Sequence, residues 1–568
     1  MPEELTRLAH EATQSAQAAG DLPAFEIPEL EMRPSKRADQ GDYNLAVMAL
    51  SKPAKMNPFE IAKHIANHFA KPEFIRAVEV AAPGYINFRI DENWLRQQIE
   101  TIISEGENLF ALDLGAGKRA QVEFVSANPT APLHVGRSRG AIVGDTMARL
   151  LEAAGFKVER EYYFNNAGAQ MRHLGISLRI RYLEALGQSV QLSDEDLKSF
   201  YHGDYLKEFA QQLVDEVGDA WTDKDWQAFK EYAEVQMFEM IRQTLARIDI
   251  HHDVFFNENS LYDSGAIWDV LEDLEQRGYV YKAALPENAD QEDREAAGNG
   301  KGEAIWFRST KFGDAKDRVL VKSSGEPTYT LPDIAYHVNK LKRGFDLCVN
   351  VLGADHYVQH QVVKHGITAL GLDASKIHVI LLQLVSLMKN GQPFRMSSRS
   401  GLFETLDDLI DQTSPDAVRY MLLNRSTDSD MVFDLDLAVK QSNENPVYYI
   451  QYAHVRCAGI FREAAARGVS DDGADLKHVG EAELRFLRKA LELGEVIALS
   501  VRHMEPHRIA FYALELANLF HPIFDTVRVL HSEVPPEVAK ARLRFFRAAQ
   551  VVLKRVLRLM GMTAPEVM

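Results

Sequence analysis

The stretch from Gln121 to Tyr163 restricts the possible folds more than any other part of the sequence. Gln121 to Ser126 reads as a short strand, Asn128 to Pro132 as a proline-containing loop, about Gly136 to Ala154 as a helix, and Lys157 to Tyr163 as a second strand. Strand, loop, helix, strand is the βαβ unit. It predicts a parallel sheet, because strands that run the same way need a crossover between them. Further on, Leu347 to Leu352 and Ile377 to Leu384 are apolar runs of the kind found in central strands covered on both faces. An α/β domain with a parallel sheet is therefore expected.

A chain of 568 residues exceeds one domain, so two to four are expected. The first hundred residues read as a small α+β unit. Phe59, Ile61, Ile65 and Phe69 lie on one face of a helix from about Pro58 to Phe69, and strands at Ala77–Val80 and Tyr85–Ile90 flank a Pro83-Gly84 turn. Gly115 to Lys118 reads as a linker. About Gly175 to Tyr279 is mostly helical and reads as an insertion in the sheet domain, and Pro286 to Gly302 as an exposed loop. After about Asp436 strand signals stop. Helices are expected at Val447–Ala466, Glu481–Val501, His507–Val529 and Pro536–Leu559. The expected domains are thus 1–110, 118–436 with an insertion at about 175–302, and 437–568.

No apolar run is long enough to span a bilayer, and the start Met1-Pro2-Glu3-Glu4 is not a secretory signal. Cys348 and Cys457 are the two cysteines. They lie far apart in apolar segments without metal-ligand spacing, which predicts buried inert thiols, a cytoplasmic setting and no structural zinc. The formal net charge of −18 argues against coating nucleic acid by bulk attraction, so any such partner needs a local basic face. The last helices offer one: Arg528, Lys540, Arg542, Arg544, Arg547, Lys554, Arg555 and Arg558, with few acids between.

His134-Val135-Gly136-Arg137 sits where the first strand's loop enters its helix. That end offers free backbone N–H groups and the positive pole of the helix dipole, which suit phosphate. Gly136 and Gly140 keep side chains clear, His134 can donate, and Arg137 and Arg139 can add charge. A histidine at such a junction is otherwise a cap or packing residue. A second motif, Arg395-Met396-Ser397-Ser398-Arg399-Ser400-Gly401, follows a turn at Asn390-Gly391. It reads as a cationic loop able to close over a triphosphate, or as a solvated basic turn. Tyr329 and Asp333 lie four residues apart, and Glu123 ends the first strand. Carboxylates with an aromatic wall suit a guanidinium, a planar fork of five donors.

The run Val122 to Gly136, VEFVSANPTAPLHVG, resembles the first signature of arginyl-tRNA synthetases, class I enzymes with a Rossmann-type catalytic domain. Arg137 stands where the family has a second histidine. Arg395 to Gly401 resembles the family's KMSKS-type loop, with Arg395 and Ser398 in place of two lysines, and Leu402 to Leu409 also matches. The resemblance implies that His134, Gly136, Arg137, Arg395, Met396, Ser397, Ser398 and Arg399 handle phosphate and catalysis. It implies arginine contacts at Glu123, Ser126, Asn128, Tyr329, Asp333 and Asp355, and ATP contacts at Pro129, His134, Gly136, Gly353, His356 and Gln359. Asn445 to Arg456 resembles the anticodon-binding helix bundle, with Tyr452, His454 and Arg456 on its RNA face. The N-terminal unit resembles the domain that touches the tRNA elbow, through Tyr85 and Asn87.

The implied activity joins L-arginine to tRNA-Arg at the expense of ATP, with Mg²⁺ accompanying the nucleotide and no protein-held metal; a monomer is expected. Two alternatives stand beside it. The departures at Arg137, Arg395 and Ser398 fit a weakened paralogue that binds tRNA or nucleotide without charging it. A synthetase of different specificity, such as cysteinyl, lacks support from zinc-spaced cysteines.

Overall fold

The structure is a computed structural model and describes residues 1–35, 37, 40–190, 200–285, 294, 302–394 and 405–568. An N-terminal antiparallel sheet comprises β1 (Met32–Pro34), β2 (Tyr43–Ala46), β3 (Ile75–Ala81) and β4 (Tyr85–Ile90), in the order β1-β2-β4-β3. Helices α1 (Pro2–Ala19) and α2 (Pro58–His68) accompany it, and α3 (Glu92–Glu105) leads out of it. Asn57 caps α2 by accepting from Phe59 N, and Pro58 supplies a first-turn residue whose missing N–H costs nothing there.

The central sheet contains β5 (Arg119–Glu123), β6 (Lys157–Phe164), β7 (Val254–Asn257), β11 (Leu347–Gly353) and β12 (Ile377–Leu382). Its order is β12-β11-β5-β6-β7, and all four pairings are parallel. The chain builds β5, β6 and β7 outward in one direction, then returns to add β11 and β12 on the other side of β5. The reversal between β5 and β11 opens a crevice at their C-terminal ends, where ligands bind in such sheets. Glu123 and Asn350 are paired across that boundary.

Helix α4 (Val135–Ala153) returns from β5 to β6 and is buried along most of its length. A Cβ on Gly144 would lie 2.3 Å from Cγ of Phe124, so glycine is what lets α4 approach β5 this closely. Helices α5 (Gly168–Ala185), α6 (Asp204–Val217) and α7 (Trp226–Arg247) fill the stretch read as helical. That stretch also carries β7, four residues with no alternating pattern, which extends the parallel sheet beyond β6. A small antiparallel sheet follows from β8 (Val280–Ala284), β9 (Glu303–Phe307) and β10 (Arg318–Val321). Most of the loop expected at 286–302 lies outside the described residues. Helices α8 (Thr330–Lys342) and α9 (Tyr357–Ala369) flank β11. Strands β13 (Val385–Lys389), β14 (Gln392–Phe394) and β15 (Met431–Asp434) form a third small sheet, followed in space by α10 (Pro415–Leu423).

Beyond β15 the described residues contain no strand. The bundle is α11 (Pro446–Ala466), α12 (Glu481–Leu491), α13 (Leu493–His503), α14 (Arg508–Thr526) and α15 (Pro536–Leu559). The single helix expected over Glu481–Val501 is two, divided at Glu492. Both cysteines are free and buried, and burial raises both thiols above their ordinary range.

The basic run of the last helix does not form the open phosphate-binding face expected of it. Arg544 Nε donates to Glu100 of α3 at 2.8 Å, and Arg547 Nε to Asp471 at 2.7 Å. Lys554 and Arg558 both pair with Glu107, while Arg542 and Arg555 donate to the backbone carbonyls of Arg528 and Leu109. Lys540 reaches the carbonyl of Asp472. Glu100, Glu107 and the Leu109 carbonyl lie far away in sequence, and their contacts dock α3 and its following turn onto the bundle.

A second contact, this one buried, ties the bundle to the sheet domain. Arg419 of α10, 1% exposed, pairs with buried Asp145 of α4 and donates to the carbonyls of Met560 and Ile248, each at 2.5 Å. Asp145 also accepts from Arg149 at 2.7 Å. This is a fully hydrogen-bonded buried charge, the condition under which burial of an ion is tolerated.

Candidate active site

At the end of β5 the backbone turns sharply. Val125 and Ser126 adopt φ of 70° and 44°, the left-handed region that non-glycine residues avoid. The turn brings Ser126 Oγ back to donate to Glu123 Oε1 at 3.0 Å and accept from Tyr163 N at 3.2 Å. Tyr162 OH donates to the carbonyl of Ala127, and Asn128 Oδ1 accepts from Asn165 N at 3.1 Å. Pro129 is buried in the same loop. Neighbouring strand and loop atoms thus hold an irregular segment rigid.

His134 caps α4: its Nδ1 accepts from Gly136 N at 2.9 Å. In the neutral ring this places the proton on Nε2, so the capping bond leaves an N–H donor free beside the helix's positive end. Capping and donation are two uses of one imidazole. Gly136 and Arg137 are exposed at this helix start. Arg139 is not part of it. It is 1% exposed and donates to the carbonyls of Gln383, Ser426 and Ser429, so its charge is spent on holding the β12–β13 and β15 loops. Arg395, Met396, Ser397, Ser398 and Arg399 lie outside the described residues. Thr405, the first described residue after them, bridges to His134, and Leu406 N donates to Leu133 O at 2.7 Å. The chain at Thr405 and Leu406 is therefore paired with the first motif at the start of α4.

The crevice between β5 and β11 contains a cavity of about 70 Å³ lined by Glu123, Asp333, Tyr336, Asn350, Gln359 and His360 among others. Asp333, in the first turn of α8, accepts from Gln359 Nε2. Burial, then the nearby charges of Glu123 and Glu258, push its carboxyl up to about 7. Glu258 is itself raised by burial while accepting from Tyr163 OH at 2.6 Å and Asn165 at 2.8 Å. His337 donates from Nδ1 to Asp333 O and accepts at Nε2 from the Asn350 amide, both at 2.8 Å. Burial holds it well below its ordinary range, so it is neutral. The cavity is small, acidic and short of one positive charge.

Tyr329 precedes α8 and is 85% exposed, so it forms no wall on Asp333. It lines a larger neighbouring cavity of about 570 Å³ with Asp355, Lys322 and Glu258; Gln359 borders both spaces. Asp355 and His356 are exposed and 3.8 Å apart at the end of β11. A Cβ on Gly353 would lie 2.5 Å from Asp355 Oδ1, so glycine there makes room for that carboxylate.

Lys340, His337, Asn350, Glu258 and His360 were not singled out in the sequence. For Lys340 a signal existed: it lies seven residues after Asp333, two helical turns along the same face. Asn350 and His360 are brought in by the sheet and by α9, and no local pattern marks them.

On α11, Tyr452 stacks on Tyr448 with ring centroids 5.5 Å apart, and the Arg456 guanidinium lies 4.8 Å over the Tyr452 ring. Arg456 also pairs with Asp525 at 3.0 Å. His454 points the other way: it is 3% exposed and its Nδ1 donates to Pro565 O, which removes it from the face expected to meet RNA. On β4, Tyr85 is half-buried and Asn87 is 8% exposed.

The catalytic segment matches a family model. The model described as "tRNA synthetases class I (R), catalytic domain" covers residues 98–454, more than half of the chain. The chain belongs to the arginyl-tRNA synthetase family. Residues 5–90 match the arginyl tRNA synthetase N terminal domain, and 450–568 the DALR anticodon binding domain. An arginine–tRNA ligase of Desulfitobacterium hafniense is 41% identical over 567 residues, covering 98% of this chain and 97% of that protein. One from Bacillus licheniformis is 41% identical over 570 residues, covering 99% and 98%. The arginyl-tRNA synthetase structure from Thermus thermophilus superposes with a TM-score of 0.75 at 20% identity, covering 99% of this chain and all of that one, and shows the fold. Relatives of this class span the chain from end to end. The parallel sheet, the N-terminal antiparallel unit and the C-terminal helical bundle are accordingly those of a class I aminoacyl-tRNA synthetase.

Proposed function

We propose that the crevice between β5 and β11 activates L-arginine with ATP and passes it to the terminal ribose of tRNA-Arg. The observation that carries this reading is the pair Glu123 and Asp333 at one small buried cavity, where Lys340 is the buried cation paired with Glu123. A guanidinium supplies the missing charge and enough donors to satisfy both carboxylates. An amino acid without that fork leaves buried acceptors unpaired, which is how such a site rejects it. Ser126 and Asn128 hold the β5 loop beside the bound amino acid. Tyr329 and Asp355 flank the approach from the larger cavity.

ATP lies along the start of α4, with Pro129, His134, Gly136, Gly353, His356 and Gln359 around it. A carboxylate oxygen of arginine attacks the α-phosphorus, the bond to the β-phosphate oxygen breaks, and pyrophosphate leaves. The ribose hydroxyl of tRNA then attacks the adenylate carbonyl, gives up its proton, and AMP departs. His134 Nε2–H, the helix N-terminus and Arg137 offset charge on the phosphates; Arg395 to Arg399 contribute cations from the second motif. Mg²⁺ enters with ATP, whose phosphate oxygens supply its ligands. Tyr452 and Arg456 present an aromatic and cationic surface that suits an unstacked anticodon base. The buried thiols and the family together favour a cytoplasmic setting, and among the described residues no helix is long and apolar enough to cross a membrane.

Asp333→Ala tests the reading. Arginine charging should fall by about 100-fold or more in kcat/KM, the ~3 kcal/mol of losing one partner of a buried charge contact. Affinity for tRNA should stay within about twofold, since Asp333 is remote from both RNA-binding domains. Unaltered arginine charging would refute the assignment of the pocket.

A further inference from the structure

We propose that Lys340 is a positioning residue of the arginine pocket, supplying the fixed counter-charge that readies Glu123 for the substrate guanidinium. The proposal rests on the reading of the crevice given above. Lys340 is a lysine with no exposed surface. Lysine is rarely so buried unless paired, since an unpaired ammonium in the interior is expensive. Its Nζ donates to Glu123 Oε2 at 2.7 Å and to Asn350 Oδ1 at 2.5 Å, and lies 4.2 Å from the centroid of the Tyr336 ring. One ammonium thus joins α8, the end of β5 and the middle of β11, three elements that border the cavity. Ser126 Oγ holds the other carboxylate oxygen of Glu123, so both oxygens have fixed partners.

The charge balance explains why a buried lysine belongs in a pocket for a cation. Glu123, Asp333 and Glu258 converge on this region. Glu161 faces Tyr336 from β6 and is answered by Arg343. His337 and His360 are buried and held below their ordinary range, so neither offsets the carboxylates. Tyr163 and Tyr336 are raised by burial and stay neutral. Without Lys340, Ser126 Oγ is the hydrogen-bond partner left to Glu123 among the described residues, and Oε2 loses the contact that fixes the direction of the carboxylate. Glu258 lies in the neighbouring space with Tyr163 and Asn165 as partners; of the two carboxyls that line the small cavity, Lys340 answers Glu123 and leaves Asp333 open, a deficit of one charge that a single arginine side chain fills.

The test uses Lys340→Met, which keeps the volume and removes the charge, and Lys340→Gln, which keeps a donor for Glu123 and Asn350. Arginine KM and ATP KM are measured in the full charging reaction from pH 6 to 8.5, with thermal unfolding of each variant. Wild-type activity with arginine is the control for the underlying reading: its absence refutes that reading, whatever the variants do. The proposal predicts an arginine KM raised about tenfold at pH 7, with ATP KM unchanged. Lys340 is also one of the charges that draw Asp333 down, so its removal moves up the pH below which arginine KM climbs, and part of the defect is regained at pH 8.5. An unchanged arginine KM in a folded variant would overturn it. So would a rise independent of pH and shared by ATP, which is the mark of general loosening. If neither variant folds, Lys340 is a folding residue and the proposal fails.

Discussion

Asp333 carries the clearest consequence at the scale of single residues. Its carboxyl sits at about 7, against 3.8 for an ordinary aspartate, because it is buried beside Glu123 and Glu258. The folded-state value is raised, so its stabilising contribution is complete below pH 3.8 and is lost as pH rises through 7. The ionised form that arginine needs is therefore a burden on the empty enzyme. Asp333→Asn should raise the melting temperature of the ligand-free protein at pH 8 and leave it nearly unchanged at pH 5. Arginine should raise the wild-type melting temperature more at pH 8 than at pH 6, and should not raise that of the variant. Thermal scans at these pH values check both. Equal arginine stabilisation of variant and wild type would remove Asp333 from the pocket.

At the scale of elements, α4 joins the phosphate-facing end to the core. Gly144→Ala places a Cβ 2.3 Å from the Phe124 ring, which α4 can relieve only by moving off β5. A loss of about 1–3 kcal/mol is expected in denaturant unfolding. Arg139→Ala leaves three buried carbonyls without their donor and should cost about 3 kcal/mol or more, with ATP KM altered less than by Arg137→Ala. The elements themselves were largely legible, because long periodic patterns such as Val135–Ala153 and Pro536–Leu559 are set by which face is buried. The division at Glu492 was not, since Glu492 and its neighbours keep helical character on both sides of the break. Four-residue β7 carries too short a pattern to declare itself. In the site, Glu123, Asp333 and His134 were legible because short motifs carry them. Asn350 and His360 were not, because only the parallel sheet brings them to Glu123. Arg139 misled for a related reason: an arginine beside a phosphate motif looks the same in sequence whether it faces solvent or the core.

For the whole molecule, the basic residues of α15 act as an internal clamp. Arg547 with Arg544 holds the Asp471 carboxyl down at about 2, so that carboxylate stays charged over any working pH. Arg544→Ala frees Glu100 and weakens the seat of α3 on the bundle. It should lower the melting temperature by a few degrees and speed proteolysis near the first domain junction, as expected for a partly exposed charge network losing one member. The salt dependence of tRNA binding should keep its slope, because this arginine neutralises a carboxylate and no phosphate. A slope reduced by about one would show that the clamp also touches RNA.

The central claim is that the acidic crevice between β5 and β11 selects arginine for transfer to tRNA. The most direct measurement incubates the protein with ATP, Mg²⁺, total tRNA and each amino acid in turn, and counts acid-precipitable aminoacyl-tRNA. Arginine alone should be charged, with lysine at background despite its positive charge. Charging of a different amino acid, or no charging with any, would contradict the account.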